Sequence, residues 1–274
     1  MRLPLLALPL LLGCSSFLYY PTSNLYINPK GLKYSPEEIV FHDTNDEKLV
    51  AWHFSASSEP EAIIVFFHGN AQNISSHFQS LYWVLDHNYD FFIFDYPGYG
   101  PSQGVPTPKS TLESGLKAVD YVQEKWPDLP IVIFGQSLGG AVALRTLIDL
   151  PNKENICFIS VESSFLSYKK AGRSALSKHW ITWPLQLLPY IVLSDRYAPK
   201  QDVSKISPIP IYIIHNKSDP IVDVSLGKEI YKKAKEPKEL WLIEEGGHID
   251  AFFARRDNLI QKKFLEKLAE CHLN

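Results

Sequence analysis

Ile131-Val-Ile-Phe-Gly-Gln-Ser-Leu-Gly-Gly140 is an apolar run that closes on a glycine-flanked serine. It passes directly into Ala141 to Leu150, where apolar residues recur at helical spacing. Its first four residues are β-branched or aromatic, so the pattern predicts a strand, a tight turn and a helix in succession. Glycines at 135 and 139 suit such a turn, because larger side chains there would crowd it. A serine on a turn of this kind has its hydroxyl thrust outward. The amides at the start of the helix, Leu138 first, then point at any oxyanion formed beside Ser137. A Gly-x-Ser-x-Gly pentapeptide alone arises by accident in on the order of one chain in ten of this length. The plainer explanation is an ordinary strand–helix turn with a surface serine, so a nucleophile needs a base and an acid downstream.

Both have candidates. Glu239 to Glu245 reads as a strand, Gly246-Gly247-His248 as a loop, and Ile249 to Leu268 as a helical pattern. A histidine on a glycine loop between strand and helix is free to turn toward a neighbouring loop; otherwise it is an exposed loop histidine. Upstream, Ile209 to His215 is an alternating β-branched strand that ends in Asn216-Lys-Ser-Asp219-Pro. Asp219 can orient an imidazole and stabilise its charged form, or it can cap a turn before proline. Glu162, after the strand Ile156 to Val161, is the second choice for the acid. Asp95 precedes the serine and is expected to brace its own loop.

Gly135-Gln-Ser137-Leu-Gly139, His215-x-x-x-Asp219-x-x-Val222 and Gly247-His248 resemble the triad motifs of the α/β-hydrolase superfamily. Phe67-His68-Gly69-Asn70-Ala71 resembles its oxyanion loop. Phe94-Asp95-Tyr96-Pro97-Gly98-Tyr99-Gly100-x-Ser102 resembles the loop after its fourth strand. Together they are similar to the branch holding BEM46-like and depalmitoylase-like enzymes, over roughly residues 39 to 270. The resemblance implies that Ser137 attacks an acyl carbonyl and that His248 shuttles the proton. Asp219 would hold the tautomer. The amides of Leu138 and of Asn70 or Ala71, with Asn70 favoured, would bind the oxyanion. His68 would brace the oxyanion loop. One departure is Asn216, where the superfamily usually has glycine; asparagine also tolerates left-handed backbone. No cofactor is implied.

Other chemistries find little support. Gly98-x-Gly100-x-x-x-Gly104 superficially suggests a dinucleotide loop, but its spacing is one residue long and Pro101, Pro106 and Pro108 oppose an immediate helix. The nine histidines and three cysteines show no metal-ligand spacing. A formal net charge of −3, with no basic cluster among aromatics, argues against nucleic-acid partners.

Met1-Arg-Leu-Pro-Leu-Leu-Ala-Leu-Pro-Leu-Leu-Leu-Gly-Cys14 has a positive start, a short apolar stretch and a small residue before Cys14. Residues 1–13 read as a signal peptide, too short to span a bilayer permanently. Leu11-Leu12-Gly13-Cys14 resembles a bacterial lipobox, which implies lipidation of Cys14; an ordinary secretory signal or an uncleaved anchor is the alternative. With Ser15 and Ser16 following, the expectation is an exported, membrane-anchored lipoprotein of the outer membrane or cell envelope. Of the remaining cysteines, Cys157 sits in an apolar strand as a small hydrophobe and Cys271 ends the last helix. A disulfide between them is permitted outside the cytoplasm, but spacing does not establish it.

The 274 residues, 45% hydrophobic, suit one large domain after the leader. Residues 14–38 read as a lipidated N-terminus and tether, and 39–274 as an α/β-hydrolase domain. A hairpin is expected over Ile39 to Phe54. Apolar runs at Ala62 to Phe67, Phe91 to Phe94, Ile131 to Phe134 and Ile156 to Val161 alternate with helical patterns near Ile74–Asp86, Thr111–Lys125 and Leu138–Leu150. That alternation predicts a doubly wound, mostly parallel sheet. Residues 163–208 interrupt it and hold an apolar, aromatic segment from Trp180 to Leu193. They form either a short helical cap lining an acyl pocket or a packed cover of the sheet edge, with membrane docking a third reading. The expected function is a serine hydrolase of acyl esters or thioesters acting on a small or lipid-like substrate. The alternatives are a peptidase, an acyltransferase or a catalytically silent binding lipoprotein.

Overall fold

The computed structural model describes residues 18–178, 180–253 and 259–272. The expected signal peptide and Cys14 lie outside the described residues. Among the described residues ten strands follow in chain order: β1 Tyr20–Pro21, β2 Glu37–His42, β3 Lys48–Phe54, β4 Ala62–Phe67, β5 Ala71–Gln72, β6 Tyr89–Phe94, β7 Ile131–Gln136, β8 Ile156–Glu162, β9 Ile211–Asn216 and β10 Lys238–Ile243. Eight of them form one sheet in the order β10-β9-β8-β7-β4-β6-β3-β2. The β2–β3 and β3–β6 pairs are antiparallel and the other neighbours are parallel. Strands β1 and β5 pair with each other, parallel and apart from that sheet.

The helices are α1 Ile74–His77, α2 Pro108–Lys125, α3 Leu138–Asp149, α4 Tyr168–Ser177, α5 Leu188–Val192, α6 Val224–Lys233 and α7 Leu259–Ala269. Successive residues of a strand face opposite sides. Ile63, Val65 and Phe67 therefore enter the core that carries Val119 of α2 and Leu144 of α3. Ala62, Ile64 and Phe66 enter the other core, with Phe264 of α7. Covering both faces explains the apolar runs within β4, β6, β7 and β8. The architecture is the expected doubly wound α/β-hydrolase fold. Its strand order reverses between β4 and β7, and the crevice at the carboxyl ends of two such strands is where ligands bind in open sheets.

Several elements differ from expectation. The pattern read as one helix over Ile74–Asp86 is α1 followed by 3₁₀ turns at Phe78–Ser80 and Tyr82–His87. The buried Phe78, Leu81 and Val84 recur every three residues, which is the 3₁₀ repeat and not the 3.6-residue one. No helix starts at once after Gly104: α2 begins at Pro108, three residues ahead of the Thr111 expected, with Thr107 as its cap. The helical pattern expected from Ile249 is not formed over residues 249–253, where Ala251 and Phe252 are drawn down into the core, and α7 covers Leu259–Ala269. The insertion at 163–208 holds α4, α5 and 3₁₀ turns at Trp183–Leu185 and Lys200–Lys205.

Cys157 is not merely a small hydrophobe: it is disulfide-bonded to Cys271 across 114 residues, tying the start of β8 to the end of the chain. In the chain-entropy account, closing a loop of that length contributes about 4–5 kcal/mol. The double variant Cys157→Ser/Cys271→Ser should therefore melt well below the oxidised protein and together with the reduced one. Identical melting of all three would show that the bond constrains nothing.

Candidate active site

Ser137 occupies the junction of β7 and α3 with φ 53° and ψ −119°, a region that L-residues rarely adopt. Two glycines make the turn possible. A Cβ on Gly135 would lie 2.7 Å from the Gly140 Cα, and one on Gly139 would lie 2.2 Å from the carbonyl oxygens of Phe67 and His68. The first turn of α3 thus rests on the backbone of the loop after β4. The Leu138 amide, at the first position of α3, has no intrahelical acceptor. The loop after β4 closes from the other side: a Cβ on Gly69 would come within 3.9 Å of the Ser137 Cβ. Asn70, Ser137 and Leu138 line one cavity of about 110 Å³, together with Leu18, Phe165 and Val222. Ala71 does not line it and instead pairs with Tyr20.

Asp219 and His248 come from the loops after β9 and β10, at the same sheet edge as Ser137. His248 Nδ1 and Asp219 Oδ2 are 2.8 Å apart. The other carboxylate oxygen, Oδ1, accepts the amides of Ile221 and Val222 at 2.8 and 2.9 Å. Burial pushes the Asp219 carboxyl up, but the hydrogen bond and charge of His248, the Ile221 amide and the Ser163 side chain together hold it below the ordinary aspartate range. Lys178 donates to the Asp219 carbonyl at 2.9 Å, joining the insertion to the acid's loop. Among the described residues neither the Ser137 hydroxyl nor His248 Nε2 has a hydrogen-bond partner; such contacts commonly tighten only once substrate is bound.

Glu162, the rival acid, points elsewhere. It accepts the Gln136 side-chain amide at 2.7 Å and the Ala251 backbone amide at 2.8 Å, which ties the histidine loop to β8. Burial pushes its carboxyl up to about 6. His68 lies behind the loop after β4, where its Nδ1 donates to the Gly69 carbonyl at 2.8 Å. Burial drives its imidazole well below 6.5, so it is neutral. Asp95 sits 3.6 Å from His68 Nε2 and accepts the Ile74 amide at 2.9 Å. Burial raises its carboxyl to about 8.

Three supports are absent from the sequence reading. Tyr99 donates to the Asn70 carbonyl at 2.6 Å, and His77 Nε2 donates to that of Ala71 at 2.9 Å. The N-terminal arm contributes the third: the Tyr20 amide donates to the Asn70 carbonyl at 2.9 Å, and the Asn70 side chain donates to the Leu18 carbonyl at 3.2 Å. These contacts join residues far apart in the chain, and no local pattern announces them. The described residues hold no cluster of histidine, cysteine or carboxylates suited to a metal ion.

The family pattern of serine aminopeptidase S33 matches residues 58–207. The chain belongs to this family. It is also 31% identical to the uncharacterized protein YfhR of Escherichia coli K12, over 92% of this chain and 86% of that one. It is 30% identical to the lysophosphatidylserine lipase ABHD12 of Macaca fascicularis, covering 78% of this chain but only 56% of that longer one. In three dimensions it resembles the esterase Pf2001 of Pyrococcus furiosus, with a TM-score of 0.72, 18% identity and coverage of 92% and 97% of the two chains. At that identity the likeness speaks for the fold alone. Family and relatives place the chain among the α/β hydrolases.

Two stability measurements test this geometry. Ser137→Gly should exceed Ser137→Ala in stability by roughly 1 kcal/mol, because glycine alone relieves the positive φ. Equal stability would mean that the turn is unstrained. Glu162 holds its proton to about pH 6 when folded, against an ordinary value of 4.5. Its contribution is therefore fully present below pH 4.5 and is lost as pH rises through 6, a change of about 2 kcal/mol. Relative to Glu162→Gln, the wild type should lose that amount across this window; parallel pH profiles would contradict the assignment.

Proposed function

We propose that the protein is a serine hydrolase that cleaves acyl esters or thioesters through an acyl-enzyme at Ser137. The observation that carries this reading is the Asp219–His248 hydrogen bond at the sheet edge that also presents Ser137 on a strained turn. In the proposed cycle, His248 Nε2 takes the hydroxyl proton as Ser137 Oγ bonds to the acyl carbon. The Leu138 and Asn70 amides receive the oxyanion. As it collapses, the carbon–heteroatom bond breaks and the proton passes from His248 to the departing alcohol or thiol. Water, deprotonated by the same imidazole, then attacks the acyl-enzyme; the acyl–Oγ bond breaks, Ser137 Oγ takes the proton from His248, and the acid leaves. Asp219, ionised and fixed by two amides, holds Nδ1–H and offsets the imidazolium charge. Glu162 acts only by positioning the histidine loop. The family description names aminopeptidases, so a peptidase on the same groups is the second reading.

We place this chemistry outside the cytoplasm, on a membrane to which a lipidated Cys14 anchors the chain. The leader sequence supports this, as does the Cys157–Cys271 disulfide, since such bonds persist in oxidising compartments.

A fluorophosphonate probe should label the wild type and leave Ser137→Ala unlabelled; labelling of both would remove Ser137 from the role of nucleophile. On p-nitrophenyl esters, Ser137→Ala and His248→Ala should each lower kcat by on the order of 10⁴-fold or more. Asp219→Asn should leave a residue of about 10⁻³–10⁻⁴ with the fold intact. Glu162→Gln should cost less than about tenfold, because its carboxylate does not touch His248. A large loss in Glu162→Gln with none in Asp219→Asn would transfer the acid role to Glu162.

A further inference from the structure

The cavity at Ser137 does not end at the serine. It shares Leu18, Gly172 and Ala175 with a groove of about 520 Å³ that runs outward between the N-terminal arm and the inserted helices α4 and α5. Beyond those shared residues the groove is walled by Tyr20, Leu176, Leu188, Val192 and Leu193, and tyrosine supplies its one polar tip. Among the described residues, no charged side chain lines either the Ser137 cavity or the groove. A free α-amino group entering here would meet no carboxylate, and its desolvation would go uncompensated. A methylene chain loses nothing by entering and gains with each carbon that leaves water.

From this continuity, and resting on the hydrolase reading of Ser137, we infer that the groove is the acyl-chain subsite and that the substrates are esters of long, linear fatty acids. The arm is part of the site. Leu18 stands at the junction of cavity and groove, held by the Asn70 side chain on its carbonyl. Gly172 stands opposite on α4, where a Cβ would already lie 3.0 Å from Leu193 Cδ1 and 3.1 Å from Pro189 Cβ. A side chain at 172 therefore narrows the passage through which the acyl chain leaves the serine. Leu188, in the wall of the groove, is exposed, as are its neighbours Leu187 and Ile191. An acyl chain thus meets apolar surface along its whole path.

The test measures kcat/KM for p-nitrophenyl esters from acetate to dodecanoate, beside the rates at which ethyl and dodecyl fluorophosphonates inactivate the full chain. The wild type should gain about two- to fourfold per added methylene until the groove is filled. Gly172→Leu, which narrows the passage, should lower the dodecanoate-to-acetate ratio at least tenfold. Val192→Asn, which makes the outer wall polar without touching the Ser137 cavity, should lower the same ratio and keeps the test open if Gly172→Leu does not fold. A flat or falling chain-length profile in the wild type, or an unchanged ratio in a folded variant, overturns the groove assignment while leaving the hydrolase reading intact. No inactivation by either probe overturns the hydrolase reading first, and the groove assignment with it.

Discussion

The site depends on how closely the start of α3 approaches the loop that follows β4. A Cβ at residue 139 would collide with two carbonyl oxygens of that loop. Because glycine stands there, the Leu138 amide and the Asn70 segment can face one small cavity from opposite sides. Ser137 is then forced into a backbone conformation that costs on the order of 1–3 kcal/mol. The surrounding sheet over-determines it: the Ser137 amide donates to the Glu162 carbonyl at 2.8 Å, and β7 is buried along its entire length. The turn persists because two packed strands leave the chain no other route into the helix.

A layer of buried polar groups supports this contact from behind. Neutral His68, the high-pKa Asp95 and Tyr96 hold the loop after β4, with the Tyr96 hydroxyl donating to the His68 carbonyl at 3.0 Å. Gln136 and Glu162 do the same for the histidine loop. Buried ionisable groups are costly unless they neutralise or pair. Here burial keeps His68 uncharged and shifts both carboxyls toward their neutral forms, whereas Asp219, with two amides and an imidazole on it, stays on the charged side. Desolvation and local donors thus separate the carboxyl that can balance an imidazolium from those that only brace the frame.

The sequence made Ser137, Asp219 and His248 legible because each sits on a strand-to-loop transition with a local signature: glycine flanks, an apolar run, a proline or a glycine pair. The parallel strands were legible for a related reason, since burial on both faces removes polar alternation. The sequence ranks Asp219 ahead of Glu162 although both follow apolar strands; in the structure Asp219 lies 2.8 Å from His248, whereas Glu162 has separate partners. The α1 region misled because three-residue and 3.6-residue spacing differ little over a single turn. The arm was read as a tether, since nothing local to Leu18 or Tyr20 signals pairing with residues fifty positions away. The same holds for Cys157 and Cys271, whose proximity exists only once the sheet has formed.

The central claim is that Ser137 carries the acyl group between the two halves of a reaction. Intact-mass analysis followed by peptide mapping, after rapid acid quench of the wild type and of Ser137→Ala with an activated long-chain ester, measures this directly. With an activated leaving group acylation outruns deacylation, so a single acyl adduct should accumulate on the wild-type peptide that contains Ser137 and be missing from Ser137→Ala. An adduct on another residue, or none in a protein that still consumes the ester, would contradict the account.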